Sequence, residues 1–439
     1  MLRLRPLLLL LGAIASVWLA TDASWDWRGQ TSGGARRAAA LAPRTPMQGQ
    51  IVVSEQNPAW LTYSDGKPFF MCGPGDPEGF LYRGALNADG TRDGDQMALI
   101  EKLKSSGANS VYVMAVRSHG GDGDKTQNPF IDHDPSKNLN ELVLDQWETW
   151  FTEMDANGIV IFFFIYDDSA RIWNTGDNVG RYEKHFLQSL VKRFKHHKNL
   201  IWVIAEEYEE RYSHKRISRI AEEIRAADEF GHPIAVHKLS GLDFSEFADD
   251  PYIDQFAIQF GNEDPQKIHQ ALVSAWTSAG GRYNLNFAEG ATHQNRTATR
   301  LRSWAATMAG AYTMILGMDI ANTAVPDLED CGRLIRFMVT TDFVAMGPSD
   351  ELAYAGTEFV LAGRGDSYIA YASRDSRQIG LRNMIAGTFH FTWFDPVTGN
   401  KIEWRNIDVQ AGDQVWDKPP AIGDEVAVYV RRDQPNTSK

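Results

Sequence analysis

Eight short apolar runs, spaced along some 250 residues, constrain this chain more than any other feature. They are Pro68–Gly73, Ser110–Val116, Ile159–Tyr166, Leu200–Ala205, Pro233–Leu239, Gln255–Phe260, Tyr283–Ala288 and Thr313–Met318. Most are rich in Val, Ile and Phe and lack steady in/out alternation, the pattern of strands covered on both faces. Between them lie stretches with helical spacing. Gln96–Ser105 is amphipathic and stops at Gly107. Leu142–Asn157 places Leu142, Trp147, Trp150, Phe151 and Met154 at three- and four-residue intervals before Gly158. Tyr182–Lys198, Lys215–Phe230, Asp264–Ala279 and Thr297–Tyr312 follow the same rule. Eight strands alternating with helices predict an α/β fold, a (β/α)8 TIM barrel over 49–348. A doubly wound open sheet needs fewer strands, and no Gly-rich phosphate loop follows the first run.

The pattern changes near Pro348. Glu358–Ala362, Tyr368–Ala372, Gly387–Trp393 and Val426–Arg431 are short β-like runs separated by turn signals such as Asp395-Pro-Val-Thr-Gly399. They predict a small antiparallel β-sandwich over 349–432, with 433–439 as a tail. Ahead of the barrel, Arg3 and Arg5 precede a largely apolar stretch, Leu7–Ala20, and Thr21-Asp22-Ala23 offers a cleavage site. Residues 1–23 therefore read as a secretory signal peptide and 24–48 as a linker. Fourteen apolar residues fall short of the ~20 that span a bilayer. The expected location is secreted or periplasmic, with no stable membrane insertion after cleavage; an uncleaved anchor is the minor alternative.

Charge narrows the partners. The formal net charge is −13, and residues 1–50 hold six Arg against two Asp, leaving 51–439 at −17. An acidic body lacks the phosphate-neutralising surface of a nucleic-acid binder. The two cysteines, Cys72 and Cys331, admit no disulfide framework or zinc ribbon and read as two ordinary buried thiols rather than one bridge. Neither H-E-x-x-H nor Gly-x-Ser-x-Gly occurs. Asp132-His-Asp134-Pro-Ser136 alternates oxygens as a calcium loop does, but Lys137 stands where such a loop needs Gly. No cofactor and no metal are expected. Oligomeric state is not legible.

In a TIM barrel chemistry sits at the C-terminal strand ends. The fourth run ends in Glu206-Glu207-Tyr208 and the seventh in Glu289-Gly290. Those strands face each other across the mouth, and two opposed carboxylates are what glycoside hydrolysis requires: one protonates the leaving oxygen and the other attacks the anomeric carbon or activates water. Glu207 and Glu289 are the catalytic candidates. Asp76, Arg117, His119, Tyr166, Asp168, Trp173, Glu206, Tyr208, His237, Gln259 and Asp319 end or follow the runs and are the substrate-binding candidates, with Trp173 equally suited to loop packing. Because consecutive strand residues face opposite sides, one of Glu206 and Glu207 is expected to point away from the cleft.

The segment Asn199-Leu-Ile-Trp-Val-Ile-Ala-Glu-Glu207-Tyr resembles the ending of strand four in retaining clan A glycoside hydrolases. More closely, the barrel resembles the apiosidase-like glycoside hydrolases. Asn57-Pro-Ala-Trp-Leu61 and Asp65-Gly-Lys-Pro-Phe-Phe70 are similar to that family's opening segment, and Arg302-Ser-Trp304 through Ala309-Gly-Ala-Tyr312 to its helix after strand seven. Trp393-Phe-Asp-Pro-Val-Thr-Gly399 resembles the collagen-binding-type β-domain that often follows. The resemblance implies Glu207 as acid/base, Glu289 as nucleophile, and a polysaccharide or oligosaccharide as partner. Three departures stand out. Glu206 replaces an Asn, Glu207 stands where the apiosidase subgroup has Asp, and the first strand ends Gly73-Pro-Gly-Asp76 rather than Gly-Asp-Thr. Apiose specificity therefore does not carry over. The expectation is a secreted, retaining glycoside hydrolase, the alternatives being an inactive carbohydrate-binding protein on the same scaffold or an adhesion protein acting through its β-domain.

Overall fold

The computed structural model describes residues 44–75, 79–239, 241–290, 295–315, 320–363, 365–374 and 376–433. The expected signal peptide, most of the linker, Asp76, Asp319 and residues 434–439 of the tail lie outside them. Among the described residues no helix is long and apolar enough to cross a membrane.

Seven parallel strands follow one another in chain order around a single sheet: Ser110–Val116, Val160–Tyr166, Leu200–Ala205, Ile234–His237, Gln255–Phe260, Asn284–Gly290 and Ala311–Thr313. The first apolar run joins the two edges. Cys72 makes a parallel bridge to Thr313, the Gly73 N–H donates to the Thr313 carbonyl at 3.2 Å, and the Asn109 N–H donates to the Cys72 carbonyl at 3.0 Å. The Asn109 side chain clamps the same segment, accepting from the Cys72 N–H at 3.0 Å and donating to the Phe70 carbonyl at 2.9 Å. Counted with this run as first, the chain forms the expected (β/α)8 barrel. Every residue of the second, third and fourth strands is buried, which accounts for their unbroken apolar sequence.

Helices cover the outside where the spacing placed them, at Gln96–Ser106, Glu141–Ala156, Arg181–Phe194, His214–Ala227, Pro265–Ala279 and Arg296–Met308, and a further helix that the spacing did not mark spans Val325–Met338. The last barrel strand is misplaced. It spans Ala311–Thr313 rather than starting at Thr313, and the preceding helix stops at Met308. Gly310 forces this break. It adopts φ 89°, and a Cβ there would lie 2.4 Å from the Trp276 ring, so only glycine fits the turn.

The cysteines correct another expectation. Cys72 and Cys331 form a disulfide that closes a separation of 259 residues. Sequence spacing carries no signal for so distant a pair. Barrel closure creates it, by laying the first strand beside the helix Val325–Met338.

Two antiparallel sheets follow the barrel. One is six-stranded, with the order Gly347–Pro348, Phe359–Gly363, Ser367–Ala372, Val426–Arg432, Gly387–Phe394 and Lys401–Val409; the other pairs Ala353–Tyr354, Gln378–Met384 and Gly412–Asp417. Val360, Ile379, Phe391, Trp393 and Val428 share a core between them. The other face of the larger sheet presents Phe359, Leu361, Tyr371 and Phe394 to the barrel core. Lys401–Val409 and Gly412–Asp417 lack an apolar run because most of their residues are exposed or half-exposed.

Candidate active site

Strand four delivers two adjacent carboxylates to the mouth. The Glu206 N–H still donates to the Tyr166 carbonyl at 3.0 Å, continuing the ladder. Glu207 then turns left-handed at φ 37°, an unfavourable conformation for a residue with a Cβ. That turn resets the alternation. Glu206 reaches the cluster of His237 and Glu289, and Glu207 reaches Gln259, Asp168 and Glu210. The expectation that one of the pair points away is thus overturned: both face the cleft.

Gln259 ties the two strands together. Its side-chain nitrogen donates to Glu207 Oε1 at 2.8 Å and to Glu289 Oε1 at 2.8 Å. The two oxygens are therefore at most twice 2.8 Å apart, about 5.6 Å. Gln259 and Glu289 are register partners on neighbouring strands, and strand seven carries one extra residue between Phe287 and Glu289. A bulge of this kind re-aims a side chain beside an active site.

His237 ends strand five, fully buried. Its Nδ1 accepts the Glu207 N–H at 3.2 Å, so the neutral ring carries its hydrogen on Nε2. Nε2 stands 3.8 Å from Glu289 Oε2. Burial pushes the imidazole pKa down to about 3 and keeps it uncharged.

The carboxyl groups move the other way. Burial raises Glu207 to about 7; the charges of Glu289, Asp168 and Glu210 add to this, and the Gln259 hydrogen bond opposes it. Glu206 is only 7% exposed. Burial, then the Asp167 charge and hydrogen bond, then Glu289, hold it well above the usual carboxylate range. Asp167 faces the Arg117 guanidinium at 2.9 Å; burial raises it as well, but the Arg117 charge and the Glu206 hydrogen bond oppose this, so Glu206 is the more strongly raised of the two.

Other candidates scatter. Arg117 is buried against Asp167 and Gln127 and acts on the mouth through Asp167. Tyr166 turns outward and donates to Glu183 at 2.9 Å behind the barrel wall, so it does not line the cleft. Tyr208, also buried, gives its hydroxyl to Glu246 and packs on Phe247. His119 sits on an exposed left-handed turn beside Ser118. Trp173 packs against Phe130 and Phe186 and lines a groove of about 310 Å³ with Lys137, Tyr182 and His185, to which neither Glu207 nor Glu289 contributes. Asp167 was missed by sequence reasoning. It stands between two candidates, Tyr166 and Asp168, and only the outward turn of Tyr166 reveals that it faces in.

Among the described residues, three groupings have metal-ligand chemistry. In Glu206–His237–Glu289 the imidazole offers no lone pair on Nε2 while Nδ1 accepts from Glu207. Asp168–Glu207–Glu210 contains no imidazole or thiolate. Glu148–His196–His197 lies at the opposite end of the barrel, where Glu148 Oε1 already holds the two rings at 2.8 and 3.3 Å.

Residues 55–318 match the family model described as the apiosidase-like catalytic domain. Among solved structures, one described as a glycoside hydrolase is 16% identical with a TM-score of 0.66, over 89% of this chain and 99% of that one. A glycoside hydrolase family 5 protein from Bacteroides vulgatus is 15% identical with a TM-score of 0.66, over 88% and 94%. At these identities the structural likeness is one of fold. No curated relative matches this chain.

Proposed function

The chain belongs to the apiosidase-like glycoside hydrolase family, and from that premise we propose that it cleaves glycosidic bonds by a retaining, two-carboxylate mechanism. The observation that carries this reading is the single Gln259 amide held at 2.8 Å from both Glu207 and Glu289. Retaining enzymes hold their carboxyl groups ~5–5.5 Å apart, whereas inverting ones leave ~6.5–9.5 Å for a water. The spacing here favours direct attack by the second carboxylate.

Glu207 is the acid/base. With its pKa near 7, it holds a proton to give to the leaving oxygen in slightly acidic solution, and returns as base when water hydrolyses the intermediate. Glu289 is the nucleophile. Its Oε1 is fixed by Gln259, and the Nε2–H of His237 lies on the side of its Oε2. Because His237 is neutral, it brings no compensating charge to Glu289. Glu289 attacks the anomeric carbon as the glycosidic C–O bond breaks, and the leaving oxygen takes the Glu207 proton.

The substrate class we infer is a polysaccharide or oligosaccharide met outside the cytoplasm. The Cys72–Cys331 disulfide supports this, since such bonds persist in oxidising compartments, and the character of residues 1–23 agrees with export.

Proton NMR of the first product released from an aryl glycoside or polysaccharide tests the mechanism. Retention of anomeric configuration is expected. Inversion would refute the retaining assignment, and binding without turnover across a broad panel would favour a silent carbohydrate-binding protein.

A further inference from the structure

Three carboxyl groups, Asp167, Glu206 and Glu289, line the floor of the mouth. Asp167 is ion-paired with Arg117 at 2.9 Å, with side-chain exposures of 3% and 5%. Glu206 lies next in line. It shares a hydrogen bond with Asp167 on one side, and on the other its carboxyl stands within 4.8 Å of His237 and Glu289. His237 supplies no positive charge, because its Nδ1 accepts the Glu207 N–H. A second ion placed beside Asp167, with water excluded, costs more than keeping a proton. A proton shared between two carboxyls stays on the one that lacks a cation, and here the guanidinium belongs to Asp167.

We propose that Glu206 works as a permanently neutral acid, donating its O–H to Asp167 and turning its carbonyl oxygen to the cleft as an acceptor for a substrate hydroxyl. In this role it is equivalent to a glutamine, whose N–H₂ can serve Asp167 and whose carbonyl can serve the ligand. The His237 Nε2–H stands on the same side of the cleft, so a hydroxyl there meets a donor and an acceptor together. Glu206 is thus a positioning residue, distinct from the reacting pair on which this inference rests. Its neutrality also spares Glu207 and Glu289 a third negative charge.

The test uses the full chain and four variants: Glu206→Gln, Glu206→Leu, Glu207→Gln and Glu289→Gln. Glu206→Gln is expected to keep kcat/KM within about threefold of the parent, with both limbs of the pH profile unmoved, because it preserves charge and hydrogen bonds. Glu206→Leu is expected to raise KM by about tenfold or more, the cost of a lost acceptor to a hydroxyl. Loss of about a hundredfold in folded Glu206→Gln, or a displaced pH limb, would show an ionising role and overturn the proposal. An unchanged KM in Glu206→Leu would overturn the acceptor role. Should Glu206→Leu fail to fold, infrared spectroscopy at pH 9 decides. A buried protonated carboxyl band, present in the parent and absent in Glu206→Gln, is expected, and its absence from the parent would refute neutrality. Full activity in both Glu207→Gln and Glu289→Gln would instead refute the reading of the reacting pair, whatever Glu206→Gln does.

Discussion

At the scale of single residues, the decisive feature is how Glu207 holds its proton near pH 7. The group is raised by burial first, then by Glu289, Asp168 and Glu210. The proposed mechanism uses the protonated form, so kcat/KM is expected to fall as pH rises through about 7. Asp168→Asn removes one raising charge. Its basic limb is expected to shift to lower pH by a few tenths to about one unit, measured as kcat/KM against pH; an unmoved or upward-shifted limb would contradict the assignment. Raising a carboxylate also costs stability. For such a group the penalty is absent below the unfolded value and fully present above the folded one. Glu207→Gln is therefore expected to be more stable than the parent at pH 8, by about 1 kcal/mol once solvent screening of a half-exposed group is allowed for. The gain should vanish near pH 4. Urea melts at the two pH values check both the sign and the disappearance. That Glu207 and Glu289 meet at the barrel mouth was legible from the sequence, as acids ending apolar runs. Their surroundings were not, because the left-handed turn at Glu207 and the extra residue before Glu289 break the alternation used to assign faces.

Among secondary-structure elements, the strands and helices were legible wherever burial on both faces left an unbroken apolar run, and misread where one glycine altered the count, as at Gly310. Loops leading into strands were less visible. Asp228, after the helix His214–Ala227, organises the entry to strand five. Its Oδ1 accepts from the N–H groups of Phe230 and Gly231, and its Oδ2 accepts from His232 N at 2.8 Å and from the His232 ring at 3.0 Å. These bonds outweigh burial and hold its pKa down to about 2. A depressed carboxylate contributes stability above its unfolded value and loses it as pH falls through the folded one. Asp228→Asn is expected to cost about 2–4 kcal/mol at pH 6–8, with the difference shrinking between about pH 4 and 2. Urea melts across that range test it, and a pH-independent difference would show that the charge is not what matters.

For the whole molecule, two long-range devices hold together what local sequence cannot. The first barrel strand is secured by one β-bridge and a few bonds to Asn109, and the Cys72–Cys331 disulfide anchors it to the helix Val325–Met338. Replacing both cysteines by serine is expected to cost about 2–5 kcal/mol, read as a lower Tm that no longer responds to reductant; a parent insensitive to reductant would contradict the role. The second device is the contact between barrel and β-sheets. Trp304 stacks on Tyr371 at 5.0 Å, and the buried Arg300 pairs with Glu425 at 2.9 Å and Asp330 at 3.1 Å. None of these pairs was legible in advance, because each joins residues far apart in the chain and no local pattern encodes the meeting. The architecture and the two facing acids were readable from periodicity and strand ends; the bracing around them depends on closure.

The most direct test of the account is sugar release from a broad panel of polysaccharides and aryl glycosides by the parent chain and by Glu289→Gln in parallel. Release by the parent is expected, with a loss of about a thousandfold or more in the variant, whose amide cannot form the covalent intermediate. Equal release by both would remove Glu289 from the mechanism and contradict the two-carboxylate assignment.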